Sequence, residues 1–189
     1  MKIKMTANDI FTLKELDLKG CYEVQPIVRA DERGTFIKTF HYDALKKLGL
    51  VTDFKEEYYS VSKKNVIRGL HFQLPPSAHE KLVYCAGGKV FDVVVDLRRN
   101  SATFGKHRAV TLDAATGNML YIPKGFAHGF LTLSDKAIMM YKVTSVYNPE
   151  CDTGIRWNSA GIDWQVDKPI ISARDRNLMP FSDFSPIDW

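Results

Sequence analysis

The stretch Val66-Ile67-Arg68-Gly69-Leu70-His71-Phe72-Gln73-Leu74-Pro75-Pro76 decides how this chain is read. Its apolar run reads as a strand that delivers one Arg and one His. The two prolines then end it at a sheet rim, because Pro has no N–H to donate and a fixed φ. Alternate side chains of a strand share a face, so His71 and Gln73 point one way and Phe72 the other. Strict alternation sends Arg68 to the face opposite His71. Both serve one pocket only if the strand bends or bulges at Gly69, which is what an isolated strand glycine often marks.

Outward from this stretch, further strands are expected at residues 54–62, 81–86, 89–97, 108–112, 119–122, 130–133 and 137–146. Turn chemistry separates them, at Lys63-Lys64-Asn65, Ala115-Thr116-Gly117-Asn118, Pro123-Lys124-Gly125 and Ser134-Asp135. Gly87-Gly88 between two apolar runs predicts a hairpin, since glycine accepts positive φ. Strands recurring every ~8–12 residues indicate an all-β sandwich or barrel. Nearer the N-terminus, strands are expected at 22–29 and 35–40 around the turn Asp31-Glu32-Arg33-Gly34. One short helix follows, capped by Asp43, with Ala44, Leu45 and Leu48 as its apolar stripe and Gly49 as its stop. Residues 2–19 read as an irregular or edge-strand lead-in. After Tyr147-Asn148-Pro149 the pattern loosens, and the tail is expected to wrap the barrel with short helical turns.

A length of 189 residues suits one domain over residues 1–189 with a sizeable core. The balance of 26 basic against 22 acidic residues, net +4, is too mild and scattered for nucleic acid but suits an anionic small molecule. No stretch is apolar and long enough to span a bilayer, and the first residues hold no signal-peptide core. Cys21, Cys85 and Cys151 lie far apart without CxxC spacing, which favours reduced cysteines in a cytoplasmic protein over disulfides or zinc.

Several polar residues sit in strands otherwise fit for a core, and each needs a partner there. Lys81 begins an apolar strand. Asp92 lies inside Val90-Phe91-Asp92-Val93-Val94-Val95, and His128 inside Gly125-Phe126-Ala127-His128-Gly129-Phe130. Tyr141 shares a strand face with Met139 and Val143. Converging with Arg68 and His71 in one barrel, these groups would be costly unless they lined a working cavity. A barrel metal site wants a His-x-His pair, but the strand offers His71-Phe72-Gln73, and neither His79 nor His107 completes the set. No metal or cofactor is expected, and no nucleophile elbow or glycine-rich phosphate loop occurs.

Longer motifs then appear in order. They are Asp31-Glu32-Arg33-Gly34-x-Phe36, Arg68-Gly69-Leu70-His71-Phe72-Gln73, Lys81-Leu82-Val83, Val90-Phe91-Asp92-Val93, Asp96-Leu97-Arg98, Thr103-Phe104-Gly105 and Ile122-Pro123-x-Gly125-Phe126-Ala127-His128-Gly129-Phe130. Tyr141-Lys142, Gly154-Ile155-Arg156-Trp157 and Pro169-Ile170-Ile171-Ser172-x-x-Asp175 complete them. From about residue 21 to 176 the set resembles the dTDP-4-dehydrorhamnose 3,5-epimerase family of metal-free cupin barrels. The resemblance implies a jelly-roll β-barrel with a few short helices, and a homodimer that exchanges N-terminal strands. It implies a nucleotide-diphospho-4-keto-6-deoxyhexose substrate, inverted at C3 and C5 in deoxysugar and polysaccharide biosynthesis.

By the same resemblance His71 is the base and Asp175 its orienting carboxylate. Lys81 stabilises the enolate, and Tyr141 returns a proton from the other face. Arg68 and His128 hold the diphosphate or sugar. Arg33 and Phe36 reach the nucleotide of the neighbouring subunit, and Arg174 and Asp152 belong to the nucleotide end. The buried Asp92 is expected to pair with Lys81 or Arg68.

The chain departs from the family pattern in three places. Glu56-Glu57-Tyr58 stands where Gln-Asp-Asn is common, Lys38 replaces an acidic residue, and Asp152 replaces a Glu. All three are expected to touch the base, ribose or phosphates rather than the reacting carbons. The alternatives are therefore a single-carbon epimerase on a CDP- or GDP-linked sugar and, from another class, a barrel that only binds a nucleotide sugar.

Overall fold

The computed structural model describes residues 5–189, so the first residues of the expected lead-in lie outside the described residues. In chain order the strands are β1 (Met5–Ala7), β2 (Phe11–Glu15), β3 (Tyr22–Pro26), β4 (Val28–Asp31) and β5 (Gly34–Ile37), followed by helix α1 (Tyr42–Lys47). Next come β6 (Glu56–Lys63), β7 (Ile67–Gln73), β8 (Lys81–Gly87), β9 (Lys89–Asp96) and β10 (His107–Asp113). The last are β11 (Met119–Ile122), β12 (Phe126–Thr132), β13 (Lys136–Val143) and β14 (Asp152–Gly154), then helix α2 (Ala173–Arg176) and a single 3-10 turn, Phe181–Asp183.

Two antiparallel sheets face each other. One has seven strands in the order β1-β2-β3-β11-β8-β13-β6, the other five in the order β10-β9-β12-β7-β14. Among the described residues, strands β4 and β5 pair only with each other. Alternation along the strands explains the layers. Val83, Cys85 and Met139 of one sheet meet Val90, Val94 and Phe130 of the other in a central apolar cluster. The outer face of the seven-stranded sheet is covered by α1, whose Ala44 and Leu45 pack with Leu82, Met119 and Tyr121. The outer face of the five-stranded sheet is covered by the C-terminal tail. There Phe184 and Trp189 meet Phe72 edge-on, and Trp164 meets Phe91. This is the jelly-roll sandwich, with the tail wrapped on it.

Five local expectations are corrected. Gly87-Gly88 does not close a hairpin: β8 and β9 lie in different sheets, and the chain crosses between them at this point. Gly88 has φ +80°, and a Cβ there would stand 2.1 Å from the Lys136 carbonyl oxygen, so the crossing needs a residue with no side chain. The helix cap is His41, not Asp43. His41 has the extended φ of −150° that a cap requires, and its ring accepts from the Ala44 N–H. The strand expected at 22–29 is two strands divided at Pro26–Ile27, and the one expected at 35–40 ends at Ile37. The strand expected at 130–133 begins at Phe126 instead, so His128 is a mid-strand residue. Every residue of β12 is buried, so it shows none of the alternation by which a half-exposed strand is read.

Gly69 carries the bulge that the sequence calls for. His128 pairs with His71 but Phe130 pairs with Arg68, so one residue of β12 faces two of β7. Gly69 has φ +121°, and a Cβ there would lie 2.6 Å from the Gly129 Cα. The extra residue puts Arg68 and His71 on the same cavity, while Ile67, Leu70 and Phe72 all enter the apolar cluster beneath the tail.

Candidate active site

Between the sheets lies a cavity of about 370 Å³, the size of a small-ligand site. His71 (β7) and His128 (β12) reach it from the five-stranded sheet. Lys81 (β8), Tyr141 (β13), Tyr58 and Ser60 (both β6) reach it from the seven-stranded sheet. Arg68, Glu56, His79, Tyr147, Asp152 and Arg174 are among the other residues of its wall. A larger open groove of about 1330 Å³ runs between Lys14–Gly20 and the C-terminal residues, with charges of both signs and no His or Tyr. Acid–base chemistry therefore points to the smaller cavity. Among the described residues, no group of three or more His, Cys, Asp or Glu side chains is placed to hold a metal ion.

His71 Nε2 lies 2.8 Å from Asp175 Oδ1. The other Asp175 oxygen accepts from the Gly69 N–H at 3.1 Å, and the Asp175 N–H donates to Ser172 Oγ, the cap of α2. Burial alone would raise the Asp175 carboxyl. The hydrogen bond and charge of His71, with the Gly69 N–H, outweigh it and hold the group below the usual carboxylate range. An ionised Asp175 only accepts, so His71 Nε2 carries its ring hydrogen and Nδ1 is the basic atom.

Lys81 Nζ donates to the His71 carbonyl oxygen at 3.2 Å. Burial pushes its ammonium down to about 8, against the pull of Asp92 and Asp152. Asp92 does not pair with Lys81 or Arg68 as expected. Both its oxygens lie within 3.0 Å of His128 Nε2, because β9 and β12 are adjacent and put the two side chains on one inner face. Burial raises the Asp92 carboxyl and lowers the His128 imidazole, each opposed by the other. Arg68 is held instead by Ser62 Oγ at 2.9 Å and the Val61 carbonyl.

Tyr141 is buried, and burial drives its phenol well above the ordinary value, so it stays protonated. Arg174 and Asp152 form an ion pair at 2.7 Å on the cavity wall. Arg33 and Phe36 do not line the cavity of their own chain. They sit on the exposed β4–β5 hairpin, where Arg33 pairs with Asp31.

The sequence reading misses what two residues do here. Gln73 ties down the Ser145–Asn148 segment: its amide nitrogen donates to the Val146 carbonyl and its oxygen accepts from the Asn148 N–H. Tyr58, expected at the nucleotide end, lines the cavity and also stacks on Tyr141. The β6–β13 register that pairs them joins segments some 80 residues apart, which no local pattern reveals.

The family model described as dTDP-4-dehydrorhamnose 3,5-epimerase matches residues 15–183. The chain belongs to that family. It is 48% identical over 159 residues to the dTDP-4-dehydrorhamnose 3,5-epimerase of Escherichia coli K12, covering 82% of this chain and 86% of that one. The enzyme of the same name from Methanothermobacter thermautotrophicus is 44% identical over 175 residues, 90% of this chain and 94% of that one. Among solved structures, the dTDP-6-deoxy-D-glucose-3,5-epimerase of Legionella pneumophila, in complex with dTDP-4-keto-L-rhamnose, superposes with a TM-score of 0.88. It is 34% identical and covers 93% of this chain and 95% of that one. As a member of the dTDP-4-dehydrorhamnose 3,5-epimerase family, the chain is an isomerase-type enzyme. No helix among its described residues is long and apolar enough to cross a membrane.

Proposed function

We propose that this chain epimerises C3 and C5 of a dTDP-linked 4-keto-6-deoxyhexose through an enolate. The C4 ketone acidifies the hydrogens on both neighbouring carbons. His71 Nδ1 takes one of them, and the electron pair moves onto the C4 oxygen. The Lys81 ammonium stabilises that oxygen in a largely dry site. Tyr141 then gives its phenolic proton to the carbon from the opposite side, inverting it. Solvent returns a proton to Tyr141 and removes one from His71. Positioned acid and base groups each contribute roughly 10²–10⁴-fold to such a reaction.

One observation carries this reading. The imidazole with its carboxylate and the protonated phenol line one cavity from facing sheets. Arg68 and Arg174 suit a diphosphate, since a guanidinium fork matches phosphate oxygens.

The same reading extends to assembly. The β4–β5 hairpin is exposed along its length with Phe36 62% accessible, and β6 is an edge strand with Tyr59 65% accessible. These apolar groups support a homodimer in which the hairpin carries Arg33 and Phe36 to the neighbour's cavity. The three free, buried cysteines support a cytoplasmic location.

The test is incubation of dTDP-4-keto-6-deoxyglucose with the enzyme in D₂O, followed by NMR. Deuterium at both C3 and C5 is expected. Uptake at C3 alone would replace this reading with a single-carbon epimerase, and no uptake would leave a binding barrel. Comparing the binding of dTDP, CDP, GDP and UDP should favour dTDP.

A further inference from the structure

Tyr58 stands directly across the β6–β13 ladder from Tyr141. The two rings stack, with centroids 4.8 Å apart and planes 17° from parallel. His128 meets the Tyr141 ring edge-on, with centroids 6.1 Å apart. The Tyr141 hydroxyl reaches Ser60 Oγ at 3.4 Å, too long to fix the ring by itself. The ring is therefore oriented by packing: it belongs to the central apolar cluster, and Tyr58 supplies the broad, flat contact that cluster does not. Tyr58 is also 41% accessible at the cavity, so this contact is not part of a sealed core.

We propose that Tyr58 is a positioning residue for proton delivery, its ring holding Tyr141 against the seven-stranded wall so that the phenol faces the sugar from the side opposite His71. The proposal rests on the reading of Tyr141 as the proton donor. It concerns a contact within this chain, not the nucleotide. The Tyr58 phenol is itself pushed up to about 12 by burial and by the charges of Glu56 and Asp152, so the stacked ring stays neutral.

The enolate has two fates. A proton from Tyr141 on the far face inverts the carbon. A proton returned by His71 on the near face restores the starting configuration. In D₂O the hydrogen held by His71 exchanges with solvent, so return leaves deuterium in unreacted substrate. Loosening the Tyr141 ring slows the first fate and leaves the second alone. The ratio of deuterated, uninverted substrate to inverted product therefore reports how well Tyr141 is aimed.

The experiment measures that ratio and the steady-state constants for Tyr58→Ala, Tyr58→Leu and Tyr58→Phe. Replacing the flat ring by Ala or Leu is expected to lower kcat about 10- to 100-fold with little change in KM, the scale of a 1 Å misplacement. The ratio should rise about tenfold or more alongside it, since both effects have one cause. Tyr58→Phe keeps the ring and should restore both quantities. Tyr58→Leu keeps apolar bulk, so it serves if the Ala variant melts too low to assay. An unchanged ratio in a folded Ala or Leu variant, or a Phe variant as impaired as the Ala variant, would overturn the proposal. No deuterium uptake by the unaltered enzyme would sink both this proposal and the epimerase reading. Uptake with an unchanged ratio sinks this one alone.

Discussion

Asp175 and His71 lie 104 positions apart in sequence and 2.8 Å apart in space. The carboxylate keeps the imidazole in one tautomer, with its lone pair at Nδ1. Replacing Asp175 by Asn leaves the volume but not the charge, and kcat should fall about 100-fold or more. The same variant tests stability. The folded Asp175 carboxyl is held below its unfolded value, so its contribution is present above the ordinary carboxylate range and is lost as pH falls through the lower folded value. Melting curves from neutral to acid pH should therefore show a steeper loss in the unaltered protein than in Asp175→Asn.

Lys81 sets an alkaline limit. Its ammonium, lowered by burial to about 8, loses its proton as pH rises through that value, and kcat should decline there. Lys81→Arg, whose guanidinium stays charged, should lose this limb from the pH profile of whatever activity remains. The stability sign is opposite. Holding the charged lysine in the fold is unfavourable below about 8, and that cost is relieved between there and its ordinary 10.5. Rate and this residue's contribution to stability thus move apart over the same window.

Gly69→Ala should damage fold and site together. The new Cβ would lie 2.6 Å from the Gly129 Cα and 2.8 Å from the His128 carbonyl oxygen, in a backbone conformation that L side chains rarely adopt. A loss on the order of 2 kcal/mol or more in denaturant unfolding is expected. Activity should fall further than stability explains, because the two strands forced apart carry His71 and His128.

Arg33→Ala should raise KM with little change in kcat if the exposed hairpin serves a neighbour's nucleotide. Removing uniform binding acts on KM alone. Phe36→Asp should weaken the proposed homodimer in sedimentation experiments, since it places a charge where an apolar ring is exposed on the monomer.

Much of this was legible in the residues. The apolar runs and their turn residues give nearly all the barrel strands, and the single glycine in β7 announces the bulge that joins Arg68 to His71. What was not legible depends on pairing at long range. Gly87-Gly88 has hairpin chemistry, but the flanking strands find better partners in separate sheets. Asp92 was assigned a cationic partner on charge alone, whereas adjacency of β9 and β12 gives it His128. The family pattern places the Tyr58 segment at the nucleotide and is silent on a contact with Tyr141. Its register with Tyr141 is set by strand pairing that the local sequence does not encode.

Asp175 comes later in the chain than every strand of both sheets. The segment that delivers it is laid beside β7 through backbone hydrogen bonds between Ile170 and both Asn65 and Ile67. During synthesis, then, all the strands emerge from the ribosome before the imidazole can meet its counter-charge. The same tail carries the apolar cover of the five-stranded sheet, so clipping it by a protease would remove the counter-charge and bare Phe72 and Phe91 in one cut, and turnover and packing would fail together.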